Sequence, residues 1–331
     1  MLICRRDWLC AAMGMLTLPA TGARAQSAAW KPGRPIRLVA PYAPGGTVDV
    51  LARLLAPQLS ERLGQPVVVE NRAGAGGSIG AAEVARTRPD GTTLLIGSNG
   101  PLLLNPLLQA HMAYDPAKDL QPVGLTIRVP IAVVASTASP LRTLDDLLEM
   151  ARAKPGQVTA ASAGTGSSNH LAIELFNAAA GVELTHVPYR GSGAAVADLV
   201  SGTVATIFDQ VSTALPLYKE GRARILAVAS DHRSPLLPEV PTLAEAGIRD
   251  AEAITFNGLV APADLPPEVL AGLAAAHVAA LQDPALRERL TTLGIEVATP
   301  EEATPEGFAA FLRTEAARAR RAVTLAGLEP T

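Results

Sequence analysis

Cysteine is almost missing from this 331-residue chain: Cys4 and Cys10 are the only two, and both fall in the first ten residues. That stretch reads as an export leader, so the remainder has neither disulfide nor thiol chemistry to draw on. Aromatic residues make up 3% of a sequence that is 48% hydrophobic. The cores must therefore be built from Ala, Val, Leu and Ile, and few ring faces remain for stacking against a sugar. No apolar run beyond the leader is long enough to cross a membrane, because charged residues, Pro or Gly interrupt each one. No sign of charge dominates: the net charge is -3, and no basic footprint for nucleic acid exists. Catalytic signatures are missing too, with no Gly-x-Ser-x-Gly elbow, no phosphate loop ending in Gly-Lys-Ser/Thr and no paired His around a Glu. His111, His170, His186, His232 and His277 are scattered along the chain, a poor zinc pattern without cysteine. The chain does not read as an enzyme, and neither a cofactor nor a metal is expected.

What is present begins with the leader itself. Arg5 and Arg6 supply a basic start, Trp8 to Leu18 an apolar segment, and Ala23-Arg24-Ala25 a small-x-small cleavage site, which predicts a signal peptide over residues 1–25 and a periplasmic protein starting at Gln26. Paired arginines suit the twin-arginine route and are tolerated by the Sec route. Cys10 lies inside the apolar segment behind Asp7-Trp8-Leu9, a poor lipobox, so no lipid anchor is expected. Removing the leader leaves about 306 residues with a net charge of about -5, enough for two domains of ordinary size.

The next stretch with chemical content is Pro44-Gly45-Gly46-Thr47. An apolar strand candidate, Ile36 to Ala40, precedes it, and Val48, Leu51, Leu54, Leu55 and Leu59 follow on one helical face. Glycine without a Cβ lets the backbone turn tightly and aim its N–H groups, with the positive end of the helix dipole, at one point. Such a loop is an anion site without a cationic side chain. A second loop of this kind, Ala161 to His170, follows Val158-Thr159-Ala160 and opens a helix carrying Leu171, Leu175 and Phe176. Two helix starts with hydroxyl-rich collars suit a ligand with anionic ends.

Strand and helix signals alternate along the rest. Val67 to Val69 reads as a second buried strand, and Asn71 to Ser78 as a glycine-rich connection to a helix over 79–86. Thr93 to Gly97 reads as a third strand ending at Ser98-Asn99. After a strand over 129–135, Thr143 predicts the N-cap of a helix over 144–154. A second alternation runs to Ala229. It includes Val187-Pro188-Tyr189-Arg190-Gly191-Ser192-Gly193, a weak echo of Ala40-Pro41-Tyr42-Ala43-Pro44-Gly45-Gly46. A return strand over 254–260 then leads to helices over 265–281, 285–293 and 305–325. This order predicts an α/β fold with mixed, mainly parallel sheets flanked by helices, ligands sitting at the carboxyl ends of strands. The expected domains are 26–130 with 256–331, and 131–255, with hinge strands near 126–135 and 254–262.

The runs Pro35 to Asp49, Val67 to Gly77 and Pro89-Asp90-Gly91, then His186 to Ser192, Phe208-Asp209 and Leu237 to Gly247, resemble the Bug-type receptors of tripartite tricarboxylate transporters. The resemblance covers nearly the whole mature chain. It implies a type II periplasmic-binding fold that closes like a flytrap on a small carboxylate: a di- or tricarboxylate, an aromatic acid or an acidic amino acid. It also implies a monomer delivering that ligand to a two-component membrane permease. The family's pincer maps to Pro44, Gly45, Gly46 and Thr47 and to the loop Thr165 to His170, with Thr165, Gly166, Ser167, Ser168 and His170 as its expected contacts and Ser98, Asn99 and Asp209 around the rest of the ligand; Tyr42 and Asp49 are further candidate contacts. Asp49 and His170 equally suit simple helix capping. Two departures touch the expected cleft: Asn99 to Pro106 is more apolar than in many relatives, and Phe256-Asn257-Gly258 replaces a frequent Trp-Phe-Gly. A receptor for a neutral solute such as a sugar, or a sensor subunit feeding a signalling partner such as a sensor kinase, would use the same two-domain physics.

Overall fold

The computed structural model describes residues 30–330; the leader expectation lies outside the described residues. The chain runs β1 (Ile36–Ala40), α1 (Thr47–Leu63), β2 (Val67–Asn71), α2 (Ser78–Ala85), β3 (Thr93–Ser98), a π-helical turn over Gly100–Leu104, and two short helices, α3 (Asn105–Leu108) and α4 (Pro116–Asp119). It continues through β4 (Leu120–Ser136), α5 (Leu144–Ala153), β5 (Thr159–Ser162), α6 (Ser168–Ala180), β6 (Thr185–Pro188), α7 (Ser192–Ser201), β7 (Thr206–Gln210), α8 (Val211–Lys219) and β8 (Ala223–Val228). It closes with β9 (Ile254–Pro262), α9 (Pro267–Leu281), α10 (Pro284–Thr291), β10 (Glu296–Val297) and α11 (Pro305–Leu325).

Local rules account for many of these boundaries. Gly64 ends α1 in the left-handed conformation at φ 69°, its N–H donating to Ser60 O, as a helix C′ glycine does. Thr143 and Asp146 form a reciprocal capping box at the start of α5. The apolar face of α1, including Leu51, Leu55 and Leu59, is fully buried, and each such leucine contributes about 1.5–3 kcal/mol.

The sheet is mixed, with strand order β2-β1-β3-β9-β4-β7-β5-β6. Parallel pairing joins β2, β1 and β3 on one side and β6, β5 and β7 on the other. The antiparallel pairings are those made by β4 and β9. β4 is the member common to both halves: Leu120 to Pro130 pairs with β9, and Ile131 onward pairs with β7 and β8. Its 17 residues extend well before the expected start at Val129. Pro122 and Gly124 obscure the strand in sequence, and register shifts beside them absorb those residues.

One expectation fails. β2 is not buried: it forms an outer edge of the sheet, and Val68 is 50% exposed. A short β-branched run pairs equally well at an edge, where only one neighbour covers it.

Candidate functional site

Because β5, β6 and β7 run parallel, their carboxyl ends lie along one edge, and α6, α7 and α8 begin there. α1 begins in the same manner after β1 and meets them from the other sheet half. A cavity of about 20 Å³ lies where the four helix starts converge, lined by Gly46, Thr47 and Val48 of α1, Ser168 and Asn169 of α6, Ser192 of α7 and Gln210 before α8. Tyr42, Ser98, Ala163 and Thr255 complete the wall. No charged side chain lines it. The N-cap residues of α1, α7 and α8 make no side-chain cap hydrogen bond, so amides at these starts are not taken by their own caps, while the Asp49 carboxylate accepts from the Gly45 N–H before α1 and Asp209 directly precedes Gln210 at the start of α8.

The polar walls are locked by hydrogen bonds. The Tyr42 hydroxyl lies 3.1 Å from both Gly76 O and Ser98 Oγ, and burial pushes its pKa up to about 12, so it stays a neutral donor. Thr47 Oγ1 reaches Ser212 Oγ at 2.6 Å and Thr213 Oγ1 at 3.0 Å, joining α1 to α8 across the two sheet halves. Ser168 Oγ meets Thr255 Oγ1 at 2.9 Å. Asp209 lies beneath, its Oδ1 accepting from Ser192 Oγ (2.6 Å) and Asn169 Nδ2 (2.9 Å), while its Oδ2 and Gln210 Oε1 are buried without a protein partner. Burial outweighs those hydrogen bonds and raises the Asp209 pKa to about 6.

The halves meet through backbone. The Ala43 N–H donates to Arg190 O at 3.0 Å, so the two echoing Pro-Tyr segments face each other. A Cβ added at Gly46 would stand 3.4 Å from Ser192 Cβ, and one at Gly193 would overlap the Pro44 carbonyl oxygen. At about 20 Å³ the space holds little more than one water, so the halves are closed nearly to contact.

Of the residues expected around a ligand, Tyr42, Gly46, Thr47, Ser98 and Ser168 line the cavity. Asp49 stands behind its loop, held by the Gly45 N–H (3.0 Å), Asn71 Nδ2 (3.0 Å) and Arg53. Burial alone would raise its pKa, but the hydrogen bonds from Arg53, Gly45 and Asn71 outweigh it and hold the carboxylate low. His170 accepts from the Gly166 N–H at Nδ1 (3.3 Å), stacks on His186 with ring centroids 4.0 Å apart, and is pushed down to about 4 by burial. It is a neutral brace. Ser167 caps α6 by accepting from the His170 N–H. Asn99 is tied to β9, its Oδ1 accepting from the Phe256 N–H (2.9 Å) and Thr255. Pro44 and Thr165 are exposed at the seam. Missed in sequence were Ser192, Gln210 and Thr255, while Asn169 fell within the expected Thr165 to His170 loop without being singled out; the Gly191-Ser192-Gly193 echo was a signal for the α7 start.

The sequence profile described as the Tripartite tricarboxylate transporter family receptor matches residues 51–328. The chain belongs to that family. It is 39% identical to protein BugT of Bordetella pertussis over 94% of each chain. It is similar to the periplasmic binding protein BugD, at 34% identity and TM-score 0.87, covering 91% of this chain and 100% of that one. It is also similar to an R. palustris protein solved with adipate, at 36% identity and TM-score 0.86, covering 91% and 99%. The family's members are receptors, and this chain is a solute receptor and not an enzyme.

Proposed function

We propose that the chain is a periplasmic receptor that closes on a small carboxylate and hands it to the two-component integral membrane permease of a tripartite transporter. The convergence of four helix starts on one cavity without a charged lining carries this reading. Each start stabilises an anion by about 0.3–2 kcal/mol, depending on burial, and a carboxylate has two oxygens to share among them. Neutral solutes take less from such dipoles. Adipate in a structural neighbour and membership of a tricarboxylate transporter receptor family support the ligand class.

In this reading residues 26–130 with 256–331 form one domain and 131–255 the other, hinged on β4 and β9. The ligand bridges Gly46 and Thr47 to Ser168 and Ser192, and its contacts with both domains supply the free energy that favours the closed state. A thermal-shift screen of the chain from Gln26 against carboxylates and sugars tests it. Ligand at a hundred times its Kd adds about 2.7 kcal/mol. Response to a sugar alone would refute the carboxylate assignment, and failure of the loaded receptor to drive uptake by its reconstituted permease would refute delivery.

A further inference from the structure

We propose that the receptor takes up a proton together with its anion, and that the proton resides on the Asp209 carboxyl beneath the helix starts. This rests on the carboxylate reading above and adds a second ion to what is bound. Asp209 is 1% exposed. Its Oδ1 accepts from Ser192 Oγ at 2.6 Å and Asn169 Nδ2 at 2.9 Å, and both of these residues line the cavity. Its Oδ2 is buried without a partner. A buried carboxylate one residue behind an anion site is a liability while it is charged, because nothing around it is cationic: Ser192, Asn169, Gln210 and Thr213 are all neutral.

The titratable groups on the elements packed around Asp209 are engaged elsewhere. On α6, His170 accepts from the Gly166 N–H, stacks on His186 of β6 and has Glu174 at 3.6 Å. On α7, Asp198 accepts from the Tyr189 hydroxyl at 2.5 Å. On α1, Asp49 pairs with Arg53 at 2.9 Å. The stretches of β4 and β5 paired with β7, and Val211 to Leu217 of α8, carry no titratable side chain. Asp209 is thus the titratable group that hydrogen-bonds directly to the cavity wall.

The Ser192 hydroxyl has a single hydrogen to give, and an ionised carboxylate only accepts. While Asp209 is charged, that hydrogen points at Oδ1 and the Ser192 oxygen turns its lone pairs to the cavity. An arriving anion meets those lone pairs with a negative charge behind them. An anion oxygen within hydrogen-bond distance of Ser192 Oγ would stand about 5 Å from Asp209 Oδ1, and two charges that close favour neutralising one of them by on the order of a hundredfold. With a proton from solvent on Asp209, the 2.6 Å contact can reverse: the carboxyl donates to Ser192 Oγ, and Ser192 gives its hydrogen to the anion. Asn169 Nδ2 also donates to Phe208 O at 2.7 Å, so its anchorage does not depend on the charge.

Calorimetric titration of the chain from Gln26 with adipate, malate, glutamate and benzoate tests this between pH 6.5 and 8, where their carboxyl groups are ionised. Buffers of different ionisation enthalpy make the heat count protons. Without ligand the Asp209 pKa is about 6 and a bound anion raises it, so affinity is full below that value and falls as pH rises, by up to about tenfold per pH unit for one proton. The parent should take up a proton on binding. Asp209→Asn mimics the neutral acid; it should take up none, hold its affinity within about twofold across the range and bind more tightly than the parent at pH 8. Its thermal midpoint checks that it folds. In the parent at pH 8, where exposed carboxyl groups are ionised, ligand should also raise a protonated-carboxyl band in the infrared difference spectrum, a readout that needs no variant. Binding without proton uptake, or uptake that persists in Asp209→Asn, would overturn the proposal and leave the carboxylate reading standing. If none of the four acids binds, both fall together.

Discussion

Gly193→Ala is the substitution that separates closure from folding. Gly193 is the second residue of α7, and its φ is not positive, so alanine fits the helix itself and favours it by up to about 1 kcal/mol. That gain applies to open and closed forms alike and cancels in binding. Across the seam the added methyl would overlap the Pro44 carbonyl oxygen and lie 3.1 Å from its carbon and 3.3 Å from Gly45 Cα. These are backbone atoms, with no flexible side chain to swing away. Overpacking of this kind costs about 1–3 kcal/mol, here charged to the closed state alone, which weakens ligand binding about 5- to 150-fold. Calorimetric titration gives the affinity, solution scattering gives the contraction on ligand addition, and thermal unfolding without ligand gives the fold's own stability. The expected pattern is an unchanged or raised thermal midpoint with weaker binding and a smaller contraction. A variant that binds within twofold of the parent and contracts by the same amount would refute the seam argument.

Thr47→Val removes the hydroxyl that meets Ser212 and Thr213 across the sheet halves; loss of about 1 kcal/mol should weaken binding about fivefold by calorimetry, and an unchanged affinity would show that these contacts do not favour closure. Acidification should destabilise the fold. Burial lowers the pKa of His170 and His277 to about 4 and that of His186 to about 3, so below about pH 6.5 the unfolded chain binds more protons and stability is lost as pH falls through that window. For the fully buried His277 the loss is about 1.4 kcal/mol per pH unit, and for the more exposed His186 it is less. Asp209 opposes them, since its pKa is raised to about 6 and its contribution is lost as pH rises through that value. Three groups against one predict a lower urea midpoint at pH 5 than at pH 7; an equal or higher midpoint would refute the balance.

Several elements were legible from local sequence because their causes are local. The span of β1, the start of α5 at the Thr143 box and both ends of α11 follow from periodicity, caps and proline placement. The length of β4 was hidden, since Pro122 and Gly124 sit beside a register shift against β9 that local sequence does not reveal. At the site, the two glycine-rich loops stood out by composition. Ser192 and Gln210 did not, because what places them is the parallel alignment of β5, β6 and β7. Asp49, Asn99 and His170 have suitable chemistry, yet their hydrogen bonds hold the loops and β9 in place. Residue type announces what a side chain can do, and packing decides which way it faces.

The unfilled helix caps around the cavity bear on how such a receptor can diverge. Amide groups belong to the chain trace and survive most side-chain replacements, so a hold on a carboxylate of the kind proposed travels with the fold. On the proposed reading, side-chain replacements in the cavity wall, at Ser98 or Thr255, change what surrounds the rest of a ligand while the helix-start amides stay in place. A scaffold of this design separates what must be kept from what is free to change.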